Sequence, residues 1–201
     1  MRNRRNIYEW AGVNVDNIEE NEVGRQWSVN VWAGIVNGRI IGPVFLPQRI
    51  TSKQYLELIN KQMDNILDGM PLADYRQTWF HHDGAPLHVL SSVREGLSEI
   101  FKDRWIGKQG PHDWPPRSPD LAPLDFFLWG HVREAVYIKE CDKESEMRHR
   151  IERVFKKLHQ DCIRDSTLMA RLYEEILKRA KICHSFKGAP FEPHLIRCQR
   201  L

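Results

Sequence analysis

Cysteine is scarce and scattered in this chain. Cys141, Cys162, Cys183 and Cys198 are widely spaced, with no C-x-x-C pair among 201 residues. That spacing argues against a disulfide framework or a thiolate zinc site and reads as thiols in a reducing compartment. Long apolar runs are also missing. None reaches the length that spans a bilayer, and the basic, polar start is not a signal peptide, so no membrane partner is expected. Repeats and low-complexity tracts are absent. Net charge is small, +3 with a pI near 8.7, which favours a nucleic-acid partner only weakly. The basic excess lies after residue 125, and residues 1–125 are slightly acidic.

A hydrophobic content of 41% is enough for one core at this length. Residues 1–24 are polar and charged and predict little independent structure. Trp27 to Val36 alternates apolar with small or polar residues, as a strand does. Asn37-Gly38 then signals a hairpin, and Arg39 to Leu46 returns, with Gly42-Pro43 bending or ending its first part. Thr51 and Gln54 form a capping-box pair ahead of a helix with Tyr55, Leu56, Ile59, Met63, Ile66 and Leu67 on one face. Gln77-Thr78-Trp79-Phe80 predicts a short buried strand, stopped by Asp83-Gly84 and Pro86.

Leu87 to Ile100 predicts a second helix, with Ser91 and Ser92 as candidate caps. Trp105-Ile106 reads as a very short strand or a packed turn. Gly107 to Pro123 is a Pro-rich loop of fixed path. Helices follow from Leu124, from Lys143 to Arg164 (Met147, Ile151, Val154, Phe155, Leu158 and Ile163 inward), and from Thr167, as cap, to about Ile182. The order is β-β-α-β-α-(β)-α-α-α, an α/β pattern.

Asp83 leaves a strand end, where open α/β sheets gather ligands. A carboxylate there suits Mg²⁺ or Mn²⁺ and phosphodiester chemistry. The plainer alternative is an Asx-turn, since Asp-Gly is a common turn. His81 and His82 with Asp83 could also suggest zinc, although strand alternation sends one histidine inward. Asp125 lies where an apolar helix begins. It can be a metal ligand, or it can be stabilised by unpaired N–H groups and the helix dipole alone. Asp120 belongs to the loop. Lys108, Arg117, His112 and Arg104 flank that loop and could meet phosphates, or simply be solvated. Trp114, beside Pro115-Pro116, is the tryptophan placed to stack on a base. Arg148-His149-Arg150, Arg153 and Lys156-Lys157 form a basic helix face, more often solvated than bound.

The ordered series Trp27-Ser28-Val29-Asn30-Val31-Trp32-Ala33-Gly34-Ile35, Ile41-Gly42-Pro43, His82-Asp83-Gly84-Ala85-Pro86-Leu87-His88, Val93-Arg94-Glu95, Trp105-Ile106-Gly107 and Trp114 through Gly130 resembles the Tc1/mariner class of DNA transposases. The resemblance covers roughly residues 25–160. It implies an RNase H-like mixed sheet flanked by helices, in which three acids hold two Mg²⁺ or Mn²⁺ ions for DNA cleavage and strand transfer. By motif, Asp83 matches the second acid, Asp125 the third, and Asp120 the structural aspartate of the Ser-Pro-Asp-Leu run. DNA is the implied partner, the nucleus the implied location, and a homodimer an open alternative.

The first acid of the family, on the first core strand, has no match in the 26 residues before Trp27. Asp16 there looks more like part of an insertion. The expectation is therefore a chain read as 1–24, a polar N-terminal segment; 25–140, a partial catalytic domain lacking its first core strand; and 141–201, C-terminal helices and tail. Such a remnant would bind metal weakly and cleave poorly. The alternative is a catalytically silent DNA-binding or protein-interaction module. The metal reading needs Asp83 and Asp125 at the edge of one sheet.

Overall fold

A computed structural model describes residues 27–36, 38–67, 70–115 and 118–188. Residues 1–24 with Asp16, the hairpin residue Asn37, the candidate DNA contact Arg117 and the tail after Gly188 lie outside the described residues. Contacts divide the chain into two compact units, one containing Ile50–Arg117 and the other Arg25–Arg49 with Ser118–Leu201.

In the second unit, β1 (Asn30–Val36) pairs antiparallel with β2 (Arg39–Leu46). Gly38 takes φ +74°, the left-handed turn that an Asn-Gly hairpin calls for. The register runs Trp32↔Val44, then Gly34↔Ile41, so β2 carries the extra residue at Gly42-Pro43. The strand bends there rather than ends. Gly42 has φ +102°, and a Cβ on it would stand 2.9 Å from the Trp32 carbonyl oxygen. Gly42→Ala should therefore destabilise the hairpin by about 1–3 kcal/mol, read as a lower denaturation midpoint with an unchanged slope.

Helices cover that hairpin. A 3₁₀ turn (Pro119–Leu121) leads into a π-helical turn (Leu124–Trp129), which continues as α4 (Gly130–Val136). α5 (Glu144–Arg164) and α6 (Leu168–Ser185) follow. Met147, Ile151, Phe155 and Leu158 of α5 join Ala33, Ile40, Leu128, Val132, Val136 and Cys141 in one core. The α4–α5 turn and α5 are each bonded to the hairpin side: Trp27 Nε1–H donates to the Asp142 carbonyl at 3.0 Å, and His159 Nε2 meets the Ile40 carbonyl at 2.9 Å. Ile163 departs from expectation and is 83% exposed. The phase set by Leu158 brings Cys162, four residues on, to the core instead.

The cap of α6 also differs from expectation. Thr167 holds the N-cap position without a side-chain cap bond. Asp165 accepts from the Thr167 N–H (3.0 Å) and hydroxyl (2.7 Å), and from Arg171 (2.7 Å). Those bonds, the Thr167 hydroxyl first and Arg171 next, lower its pKa to about 2. The folded value lies below the ordinary one of about 3.9. Its contribution is thus complete above pH ~4 and is lost as pH falls towards 2. Amide exchange at the start of α6 should quicken over that window, and Asp165→Asn should remove the pH dependence.

In the first unit, α1 (Ser52–Leu67) packs on α3 (Ser91–Phe101). The capping box forms, with Gln54 Oε1 accepting from Thr51 N–H at 2.9 Å and Thr51 Oγ1 from Gln54 N–H at 3.3 Å. Ser91 and Ser92 do not cap α3. Leu90 is its N-cap residue, without a side-chain bond. The expected strand from Gln77 is shorter than predicted. A helix, α2 (Leu72–Gln77), takes its start, leaving β3 as Phe80–His81, parallel to β4 (Trp105–Ile106). Trp79, read as buried, is 50% exposed and sets its ring edge against His112. Tyr55, Ile59, Met63, Val93, Leu97, Phe101 and Trp105 are buried.

Candidate metal centre

Asp83 owes its place to the end of a ladder. Phe80 N–H donates to Arg104 O at 3.0 Å and His82 N–H to Ile106 O at 2.8 Å. Asp83 is the next residue, at the carboxyl end of β3. The carboxylate makes the expected Asx-turn, accepting from Ala85 N–H at 3.0 Å through Oδ1. The same oxygen lies 2.6 Å from Nδ1 of His88, in the 3₁₀ turn Pro86–Val89. Burial pushes the Asp83 pKa up. The His88 hydrogen bond and charge and the Ala85 N–H outweigh that and bring it below the ordinary value, so Asp83 is an anion at neutral pH.

Behind Asp83 stands an aromatic stack that sequence reasoning did not find. The His82 and His88 rings lie 3.7 Å apart and 11° from parallel, and Tyr55 stacks on both. His82 is buried, with Nε2 bonded to the Tyr55 hydroxyl. Burial, then the nearby His88, holds its pKa well below 6.5. His81 is lowered to about 4, chiefly by burial, and its ring rests on Trp114 at 4.0 Å. Both histidines are neutral at pH 7. Tyr55→Phe should cost about 1–3 kcal/mol, since it leaves a buried imidazole nitrogen unpaired; urea unfolding measures it.

Asp125 sits in the first turn of the π-helical segment, with its N–H bonded to Ala122 O at 2.9 Å. Such wide turns recur at functional sites. Arg179 of α6, also missed, clamps this segment: its guanidinium donates to Asp120 O at 3.0 Å and covers the Phe126 ring at 4.1 Å. Asp83 belongs to the first unit and Asp125 to the second.

Of the DNA-contact candidates, Lys108 is exposed and Trp114 is half-buried on His81. The loop around Lys108 is fixed by Asp113, which accepts from Gln109 N–H at 2.9 Å. On α5, Arg148 pairs with Glu144 and Arg150 with Glu146. Among the described residues no three of His, Cys, Asp and Glu cluster to cage a metal ion, and none of the helices is long and apolar enough to cross a membrane. The Asp83 carboxylate is by itself a hard oxygen donor of the kind Mg²⁺ and Mn²⁺ take, ions that use one or two carboxylates and leave other positions to water and phosphate.

No protein-family model matches the chain. Over 110 residues it is 30% identical to the transposable element Tc3 transposase of Caenorhabditis elegans, a match covering 55% of this chain and 30% of the relative. The chain thus spans under a third of that relative. Its fold is that of the Mos1 mariner transposase catalytic domain, at a TM-score of 0.59 and 20% identity over 82% of each chain. The same domain solved with raltegravir and Mn gives 0.61 at 19% identity, over 82% of this chain and 83% of that one. With raltegravir and Mg it gives 0.58 at 23% identity, over 77% and 73%. The chain thus resembles part of the Tc3 transposase in sequence and shares the RNase H-like fold of the Mos1 mariner transposase catalytic domain.

Proposed function

We propose that Asp83 and Asp125 are each a ligand to Mg²⁺ or Mn²⁺ in a domain that handles DNA, in the nucleus. The observation that carries this is Asp83, an ionised carboxylate held at a strand's carboxyl end by two hydrogen bonds to one oxygen. The Mos1 domain of like fold was solved with Mg and with Mn. Bound there, a divalent ion would activate water or a hydroxyl and neutralise charge on a phosphodiester. The chain's own residues keep Asp83 charged and oriented, and Lys108 and Trp114 offer a cation and an aromatic face to DNA.

The first acid that the resemblance implies has no match in the 26 residues before Trp27. Metal affinity and cleavage by this chain alone are therefore low, and DNA association outlasts catalysis. Mn²⁺ titration followed by electron paramagnetic resonance tests the site. Asp83→Ala and Asp125→Ala should each weaken uptake at least tenfold, and unchanged uptake in both refutes the assignment. Vigorous Mn²⁺-dependent nicking of transposon-end DNA, abolished by Asp83→Ala, would refute the impairment. DNA affinity should fall with salt as phosphate contacts release counterions.

A protein-interaction role is the second reading, favoured by Tyr173 and Leu177, exposed four residues apart on α6. Self-association that rises with concentration, without DNA binding, would support it.

A further inference from the structure

Metal-binding carboxylates need orienting partners as much as charge. A free Asp side chain spins about χ1 and χ2, and a second-shell hydrogen bond fixes which oxygen meets the ion. Asp83 has two such bonds, and both fall on Oδ1. Among the described residues Oδ2 takes none. The Ala85 N–H bond comes with any Asx-turn. The His88 bond does not, because it needs an imidazole brought back across five residues of chain.

The chain invests in that return. Pro86 opens the 3₁₀ turn that carries His88. The ring then meets two others: His82 stacks on it at 3.7 Å, and Tyr55 lies at 5.2 Å. His82 is itself pinned by its bond to the Tyr55 hydroxyl from α1. Each ring of the stack rests on the other two, the kind of support that precise orientation of a ligand demands. Nδ1, not Nε2, is the atom presented to Asp83.

We infer that His88 is a positioning residue for Asp83: its Nδ1 anchors Oδ1 and turns Oδ2 towards a divalent cation, with His82 and Tyr55 bracing the ring. This rests on the reading of Asp83 as a metal ligand. It assigns His88 no contact with metal or DNA.

The full 201-residue chain serves for the test, with Mn²⁺ as the probe. His88→Ala should weaken Mn²⁺ uptake 10–100-fold, the range seen when such supporting partners are lost. His88→Asn places an amide N–H where Nδ1 was and should recover most of the affinity. His88→Gln reaches to the Nε2 position and should not. A role in folding alone would give Asn and Gln the same affinity in proportion to their melting temperatures.

A metal-free measurement separates the two ideas. In ¹⁵N spectra of the imidazoles, the His88 Nδ1 resonance should move on Asp83→Asn, and an unmoved resonance overturns the positioning role by itself. Mn²⁺ uptake lowered by Asp83→Ala but untouched by His88→Ala also overturns it while sparing the metal site. Uptake absent in the unaltered chain, or indifferent to Asp83→Ala, overturns the metal site instead.

Discussion

Phe155→Ala should lower the stability of the second unit by about 3–5 kcal/mol, among the largest costs a single side chain can carry. Phe155 is fully buried at the middle of α5. Its ring meets the edge of Trp129 at 6.3 Å and of His159 at 6.4 Å. Losing it removes apolar burial, two aromatic contacts and the filling of the space between α5, the hairpin and the π-helical turn. The space lies within the core formed with Leu128, Val132 and Ile151, so its collapse would have to shift those buried neighbours. A drop of that size corresponds to roughly 6–20 °C in melting temperature for a chain of this length. Calorimetry checks it, and a shift under 3 °C would mean the core around Phe155 is loosely packed. Trp129 ends the π-helical turn that carries Asp125, so its fluorescence should redden in the variant while still folded.

The parts of this fold written in local chemistry were legible. Asn37-Gly38 announced the hairpin, Thr51 and Gln54 the start of α1, and helical phase gave the buried face of α5. The β4 residues Trp105-Ile106, though only two, stood out against Gly and charge on either side. Asp83 was legible twice, as a turn residue and within a motif, and it is indeed in an Asx-turn at a strand end. What was illegible depends on distant partners. β3 pairs only with the two residues of β4, so it stops short, and Leu72 to Gln77, with the helix formers Leu72, Ala73, Arg76 and Gln77, becomes α2. Trp79 is left half-exposed as a result. The stack of Tyr55, His82 and His88 joins three positions, one of them on another element, and no spacing rule links it. His88 had one available signal, its place in the quoted motif five residues after Asp83.

Arg150→Ala should cost about 2–3 kcal/mol and change DNA affinity little. Sequence reasoning set Arg150 in a basic helix face with Arg148, more often solvated than bound. The structure spends it elsewhere. One guanidinium nitrogen donates to the carbonyls of Val136 (3.0 Å) and Lys139 (2.6 Å), and the other to Glu140 at 2.9 Å. Glu146, one turn back along α5, pairs with the same group. Arg150 thus closes the C-terminal end of α4 and the turn into α5, where carbonyls have no helical partner. Charged donors to several carbonyls are worth more than ordinary bonds, and the side chain is only 14% exposed, so water screens them incompletely. Arg150→Lys should recover less than half of the loss, because an ammonium cannot fork across three carbonyls. Arg148→Ala is the paired comparison: its ion pair with Glu144 is half-exposed and its guanidinium covers the Phe45 ring at 4.7 Å, so its cost should stay at about 1 kcal/mol, half or less of that at Arg150. If Arg150→Ala instead left stability intact and cut DNA affinity tenfold, the guanidinium would serve a DNA phosphate rather than the α4–α5 turn, which would then be held by other groups.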